Sequence, residues 1–259
     1  MEREKVNQSV PVYVINLARS RDRWDRLKSN ADELSIELRR VEAVEGKLLS
    51  SDELADFDDA GFRRLHGKIA MPAEIGCYFS HIRALEIIAD APEPFAVIVE
   101  DDVVLSPAFT AAVNQLTHIL GWDVIKLVNH RLSAFRPFLR VNDEISVGRS
   151  LHGPMGSAAA YLVTKQAARR LSKSIRAMRL PYDVELERGW SGGYQIFTTN
   201  VPLVSFFATE STIAQGRSAY AERRLAIYKR ISTLVFRATD YIRRIAYALR
   251  KKRLKEADG

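Results

Sequence analysis

Short apolar runs rich in β-branched residues alternate with segments of helical period along most of this 259-residue chain. VPVYVINL (10–17), ELRRVEAV (37–44), FAVIVE (95–100), WDVIKL (122–127) and SAAAYLVT (157–164) read as strands. Helices are expected between them: from a Ser20 cap through RDRWDRLKSNADEL, in EIGCYFSHIRALEIIAD after Pro72, around 108–120, and beyond SAAAYLVT to about 177. In the second of these, Ile75, Phe79, Ile82, Leu85 and Ile88 keep a helical period. Residues 45–72 read as loop and short helices, and 130–155 as a long loop or hairpin. Such alternation buries its apolar faces best as a layered α/β sheet. In open sheets of this kind, ligands bind beyond the carboxyl ends of the strands.

One strand end carries unusual chemistry. In FAVIVEDDVVLS (95–106) a run built for burial stops at Glu100, Asp101 and Asp102, then apolar residues resume at Val103. Three adjacent carboxylates repel one another unless they are solvated or a cation sits among them. Oxygen donors of this type suit Mg²⁺ or Mn²⁺. If the strands run parallel, Asn16 and Leu17 at the end of the first strand share an edge with this cluster.

The single cysteine, Cys77, allows no intrachain disulfide and is assigned to the core. The polar N-terminus MEREKVNQSV lacks a signal-peptide core, and no run of 18 apolar residues exists. A cytoplasmic location is therefore expected. The net charge of +7 is unevenly spread. Residues 223–255 hold 12 Lys or Arg and one acid, Asp240, whereas the rest holds 27 basic and 31 acidic residues. A mildly acidic body argues against a nucleic-acid partner.

The basic segment reads as an amphipathic helical tail, set off as 218–259 from a body of 10–217. Ile227, Ile231, Leu234, Ala238, Tyr241, Ile245 and Ala248 form an apolar seam, widened by Val235, Ile242 and Leu249. Arg223, Arg230, Arg237, Arg244 and Lys251 form a basic stripe beside it. A coiled coil or packing on the body would use the same seam. The basic edges favour a helix lying in an anionic membrane surface, with a body that still works after truncation at Arg217.

Five segments in order, VYVINLARSRDRWDRL, EIGCYFSHIRAL, VIVEDDVVL, GSAAAYLVTKQAARRL and PYDVEL, resemble the family 25 glycosyltransferases, over roughly residues 10–213. That family includes lipooligosaccharide galactosyl- and glucosyltransferases and collagen galactosyltransferases. The resemblance implies a GT-A-like Rossmann-type fold, a UDP-linked sugar donor and transfer with inversion. It implies a nucleotide-binding edge at Asn16 and Leu17, with Arg19 and Arg23 meeting the diphosphate; Arg21 is read as surface charge. It further implies that Gly76 lets the donor approach while Ser80 and His81 donate to it. Asp102 is the expected metal ligand, Glu100 reaches the metal or the ribose, and Asp101 orients either. A late ligand, often His in this fold, would have to be Glu210, Ser211 or water, because no histidine follows His152.

Inverting transfer needs a base for the acceptor hydroxyl. Asp183 occupies the family's Pro-x-Asp motif, with Glu185 and Glu187 as rivals that would share its face on a strand. Gly156 and Ser157 are expected to shape the donor-sugar or acceptor edge. Trp190 either stacks on a sugar or fills core. The resulting expectation is a hexosyltransferase moving galactose or glucose from a UDP-sugar to a lipid-linked glycan such as a lipooligosaccharide core. It would use Mn²⁺ or Mg²⁺ at the inner face of the cytoplasmic membrane. The alternative is a non-catalytic relative that binds a nucleotide sugar or glycan. Oligomeric state is left open.

Overall fold

The computed structural model describes residues 10–207, 231–250 and 254–256. The chain begins β1 (Val12–Asn16), α1 (Arg21–Glu33), β2 (Leu38–Glu42), α2 (Asp59–His66), α3 (Pro72–Asp90) and β3 (Phe95–Glu100). It continues β4 (Val103–Leu105), α4 (Phe109–Thr117), β5 (Ile119–Leu120), β6 (Val124–Lys126), β7 (Ser133–Arg140), β8 (Ser146–His152) and β9 (Ala160–Thr164). Then follow α5 (Lys165–Ser174), α6 (Tyr182–Leu186), α7 (Gly189–Gly192), β10 (Ile196–Thr199), β11 (Val204–Phe206), α8 (Ile231–Leu249) and β12 (Lys255–Glu256).

Eight strands form one mixed sheet in the order β2-β1-β3-β9-β6-β10-β8-β7. This is the layered α/β architecture of a GT-A-like, Rossmann-type domain. β1 runs parallel to β2 and to β3, with Ile15 opposite Glu100. The carboxyl ends of β1 and β3 therefore lie side by side, as expected from the sequence. β9 enters antiparallel between β3 and β6. Residues 130–155 resolve into the β7–β8 hairpin at the sheet edge.

β3 explains why its sequence is apolar without alternation. Ile98 packs into the core on one face of the sheet with α3 and α5, while Val97 and Val99 pack on the other with α1 and α4. Both faces are covered, so no position tolerates a polar side chain until the strand ends. α1 starts after Ser20, but the Ser20 side chain makes no capping bond. The start of α3 is held instead by Glu74, which accepts from the Met71 N–H at 2.8 Å.

PYDVEL is helical rather than extended, so Asp183, Glu185 and Glu187 do not share a strand face. Pro181, whose ring fixes its φ, sits at the N-cap and favours the turn. Asp183 and Glu185 thus lie on one short helix, and Glu187 caps its end.

α8 packs on the body through one side only. Thr233, Arg244, Tyr247 and Ala248 are buried, and Phe236 and Asp240 partly so. These residues fall on one stripe at helical spacing. The Tyr247 hydroxyl donates to Tyr194 O at 3.0 Å and accepts from Ile196 N–H at 2.8 Å. Arg244, expected in the exposed basic stripe, is buried in an ion pair with Glu187. Beyond α8 the chain pairs β12 with β5. The tail is thus docked rather than free; the 217/218 boundary and Arg223, Ile227, Arg230 and Lys251 lie outside the described residues. Among the described residues no helix is long and apolar enough to cross a membrane.

Candidate active site

The strand-end cluster is organised by Asn16. Its Nδ2 donates to Asp101 Oδ2 at 2.7 Å and to Ser20 O at 3.1 Å, and its Oδ1 accepts from Arg40 at 2.6 Å. Arg23 also reaches Asp101, at 3.2 Å. Asp101 is thereby a buried brace between the two strand ends. Arg19 instead reaches out to Glu45, at 2.5 Å. Leu17 accepts the Ser20 N–H through its carbonyl, at 2.9 Å. Arg40 went unnoticed in the sequence, where it is one of two arginines in a strand.

Glu100 is partly exposed and faces His81, Oε1 to Nε2 at 3.3 Å. The His81 ring is buried, stacked on Tyr182 at 4.1 Å and 4°, with Nδ1 3.2 Å from the Tyr161 hydroxyl. The Tyr161 and Tyr182 hydroxyls share a further bond of 2.9 Å. His81 is thus held by packing and aimed at the cluster.

Asp102 differs from its neighbours. Its Oδ1 is buried and has no hydrogen-bond partner among the described residues. Burial first, then the charges of Glu100 and Asp101, push its carboxyl from 3.8 up to about 7; Arg23 opposes this. A buried carboxylate oxygen without a donor is costly, and a divalent cation relieves both the desolvation and the repulsion. The donor set, Asp102 with Glu100 beside it, fits a hard cation such as Mg²⁺ or Mn²⁺. Glu210 and Ser211, the candidate late ligands, lie outside the described residues.

Two residues expected to meet the donor make backbone contacts in the structure. Ser80 gives its hydroxyl hydrogen to Gly76 O at 2.6 Å and accepts from Val44 N–H at 2.7 Å. Both capacities go to the backbone, so Ser80 ties α3 to the 44–46 loop. Gly76 serves the same junction. A Cβ there would lie 2.5 Å from Val44 O and 2.7 Å from Gly46 N, so the missing side chain admits this loop. Cys77, assigned to the core, is instead exposed. Protein still surrounds it on most sides; desolvation, then Glu100, Asp183, Glu74 and Asp102, push its thiol well above the ordinary range.

Facing this cluster is the turn after β8. Gly156 and Ser157 both have left-handed backbone, with φ of 71° and 64°. A Cβ on Gly156 would meet His130 at 3.2 Å and lie 3.8 Å from Asp183 Oδ2. The Ser157 hydroxyl accepts from Ala159 N–H at 3.1 Å and shapes the turn rather than projecting from it. The turn is clamped by Glu187, which accepts from Met155 N–H at 2.9 Å and Gly156 N–H at 3.0 Å. Lys126, fully buried at the end of β6, bonds both Glu187 (2.8 Å) and Gly156 O (2.9 Å). Burial would raise the Glu187 carboxyl, but Lys126 and Arg244 overcome it and hold it below the usual range.

These contacts separate the two acids of α6 from Glu187 at its C-terminal cap. Glu187 is spent on the clamp, and Glu185 pairs with Arg188 at 3.0 Å. Asp183 keeps Oδ2 towards Gly156, while its Oδ1 accepts from Val184 N–H at 2.9 Å. Burial first, then Glu187, raise its carboxyl; Lys126 opposes. A carboxylate of raised basicity without an ion-pair partner among the described residues is equipped to take a proton. Trp190 donates to Asp240 at 3.3 Å and packs on Tyr247, so it belongs to the α8 interface.

The family profile of glycosyltransferase family 25 (LPS biosynthesis protein) matches residues 9–186. A "Glycosyltransferase 25 family member" of Aedes aegypti is 30% identical over 168 residues, covering 62% of this chain and 27% of that protein. "Procollagen galactosyltransferase 1-B" of Xenopus laevis is 29% identical over 138 residues, covering 49% and 22%. A "Probable inactive glycosyltransferase 25 family member 3" of Rattus norvegicus is 30% identical over 186 residues, covering 66% and 31%. The chain therefore spans between 22% and 31% of the length of these relatives. The matched region contains the Asn16 brace, the α3 motif, the carboxylate cluster and Asp183, and the chain belongs to glycosyltransferase family 25.

Proposed function

We propose that this protein transfers a hexose, galactose or glucose, with inversion from a UDP-sugar to a glycan acceptor of the lipooligosaccharide or LPS-core kind. The observation that carries the reading is the buried Asp102 Oδ1 just after β3, which has no hydrogen-bond partner among the described residues; Asp102 and Asp183 lie near enough to one another that both act on the Cys77 thiol. Asp102 and Glu100 would hold Mg²⁺ or Mn²⁺, which supplies charge neutralisation for the diphosphate leaving group. Asn16 and Asp101 keep the two strand ends in register, and Arg23 adds positive charge to the donor edge. Asp183 Oδ2 takes the proton of the acceptor hydroxyl as its oxygen bonds the anomeric carbon and the sugar–diphosphate bond breaks. The Gly156–Ser157 turn, clamped by Glu187, sets the acceptor edge against that carboxylate.

The exposed side of α8 supports a membrane location for the acceptor. Ile231, Leu234, Val235, Tyr241, Ile242 and Leu249 remain exposed while the opposite side docks. Arg243 and Arg250 are also exposed. A wide apolar face with basic residues suits attachment to an anionic bilayer surface. The lone cysteine fits the reducing cytoplasmic side.

A screen of UDP-sugars against a lipooligosaccharide acceptor panel, with and without Mn²⁺, tests the reading. Metal-dependent product of inverted linkage is expected; absence of transfer and of donor hydrolysis from every UDP-sugar would overturn it. The names of the probable inactive relatives support a second reading, a binding protein without turnover. That reading requires UDP-sugar binding with no hydrolysis.

A further inference from the structure

Cys77 and His81 stand one helical turn apart on α3, so their side chains share a face. Glu100 reaches the same place from the end of β3. One ligand atom of each lies within 4.8 Å of those of the other two. We propose that these three residues form a site for a soft divalent cation of the Zn²⁺ type, adjoining the hard-cation position at Asp102 and sharing Glu100 with it.

The residue types choose the metal. Thiolate and imidazole favour Zn²⁺, whereas Mg²⁺ and Mn²⁺ favour oxygen. Zn–S and Zn–N bonds of about 2.3 and 2.0 Å draw ligand atoms to within roughly 4 Å of one another, so a small rotation of Cys77 closes the site. His81 is already prepared. Tyr182 stacks on its ring and Tyr161 occupies Nδ1, which leaves Nε2 facing Glu100 at 3.3 Å. A second partner on the far nitrogen is what orients a metal-binding imidazole. Cys77 is the solvent-exposed member and supplies the entry path. Its thiol proton passes to water as the sulfur–metal bond forms. Occupation of this site removes Glu100 from the neighbouring hard-cation position, so zinc acts as an inhibitor of whatever Glu100 serves there.

Full-length protein, stripped with chelator, is titrated with Cd²⁺ as the spectroscopic probe. A thiolate-to-cadmium ultraviolet band saturating at a single equivalent, and its displacement by Zn²⁺, is expected. Cys77→Ser should abolish the band, and His81→Gln and Glu100→Gln should each weaken binding at least tenfold. Asp102→Asn should keep it. No band in the wild type overturns the proposal. A band unaffected by both His81→Gln and Glu100→Gln reduces the site to a thiol alone and overturns it too. Loss of the band in Asp102→Asn, with the fold verified by circular dichroism, merges the two cation positions and has the same consequence. None of these readouts depends on sugar transfer, so they succeed or fail independently of the function proposed above.

Discussion

Arg244 of α8 donates through Nη1 to Glu187 Oε2 at 2.9 Å, with side-chain exposures of 6% and 0%. Glu187 in turn holds the Met155–Gly156 turn beside Asp183. The C-terminal helix therefore supports the candidate acceptor edge from behind.

Arg244→Met should cost about 3–5 kcal/mol, because it strands part of a buried charge. Thermal unfolding should shift down accordingly, and transfer should fall with it. Deleting everything after Arg217 removes Arg244 and Tyr247 together. The truncated protein should be less stable and less active even on a short soluble acceptor. A truncated protein with unchanged melting temperature and turnover would show that α8 docking is dispensable.

Asp102→Asn should abolish most metal-dependent transfer while leaving the fold intact, since it removes charge at nearly constant volume. The pH dependence is specific. The folded carboxyl is raised from 3.8 to about 7. Between those values the folded state holds a proton that the unfolded state has released, so metal-free stability falls as pH rises through this window. A cation must displace that proton. Mn²⁺ affinity, measured by calorimetry, should therefore rise about tenfold per pH unit towards 7 and flatten above it. A flat profile from pH 5 to 8 would count against Asp102 as the ligand.

Asp183→Asn should reduce transfer by about 10²–10⁴-fold yet retain UDP-sugar binding. Calorimetry of donor binding beside turnover separates the two effects. Glu187→Gln should differ, lowering the melting temperature, because it disturbs Lys126 and Arg244 in the interior. Near-normal turnover in Asp183→Asn would remove it as the base.

Val235→Glu with Ile242→Glu places charge on the exposed face of α8. Both positions are solvated, so stability should change by less than about 0.5 kcal/mol each. Flotation with anionic liposomes should be salt-sensitive in the wild type and lost in the double variant. Equal flotation of both proteins would assign the face another role.

Much of the sheet was legible from local pattern. Apolar runs rich in β-branched residues at 12–16 and 95–100 specify doubly covered strands, and the abrupt acids after Val99 mark where the strand ends. Those signals are local, because burial and strand propensity act on adjacent residues. They also brought Asn16 and Glu100 to one edge, through parallel pairing. PYDVEL was misleading for the same reason: at six residues, alternation and a single helical turn look alike.

The amino-acid sequence by itself determined the α/β layering, the carboxylate cluster at a strand end and the two-sided character of the C-terminal helix. Each follows from the residue types within a short window. Only the tertiary structure decided which acid keeps a free oxygen. Glu185 and Glu187 are taken by Arg188, Lys126 and Arg244, partners that burial selects across 3, 61 and 57 residues of separation, whereas Asp183 is not. Burial likewise spent Ser80 and Gly76 on the 44–46 loop and turned Cys77 towards solvent. A hydrogen bond or ion pair formed between distant segments depends on how the layers pack, and no local pattern encodes it.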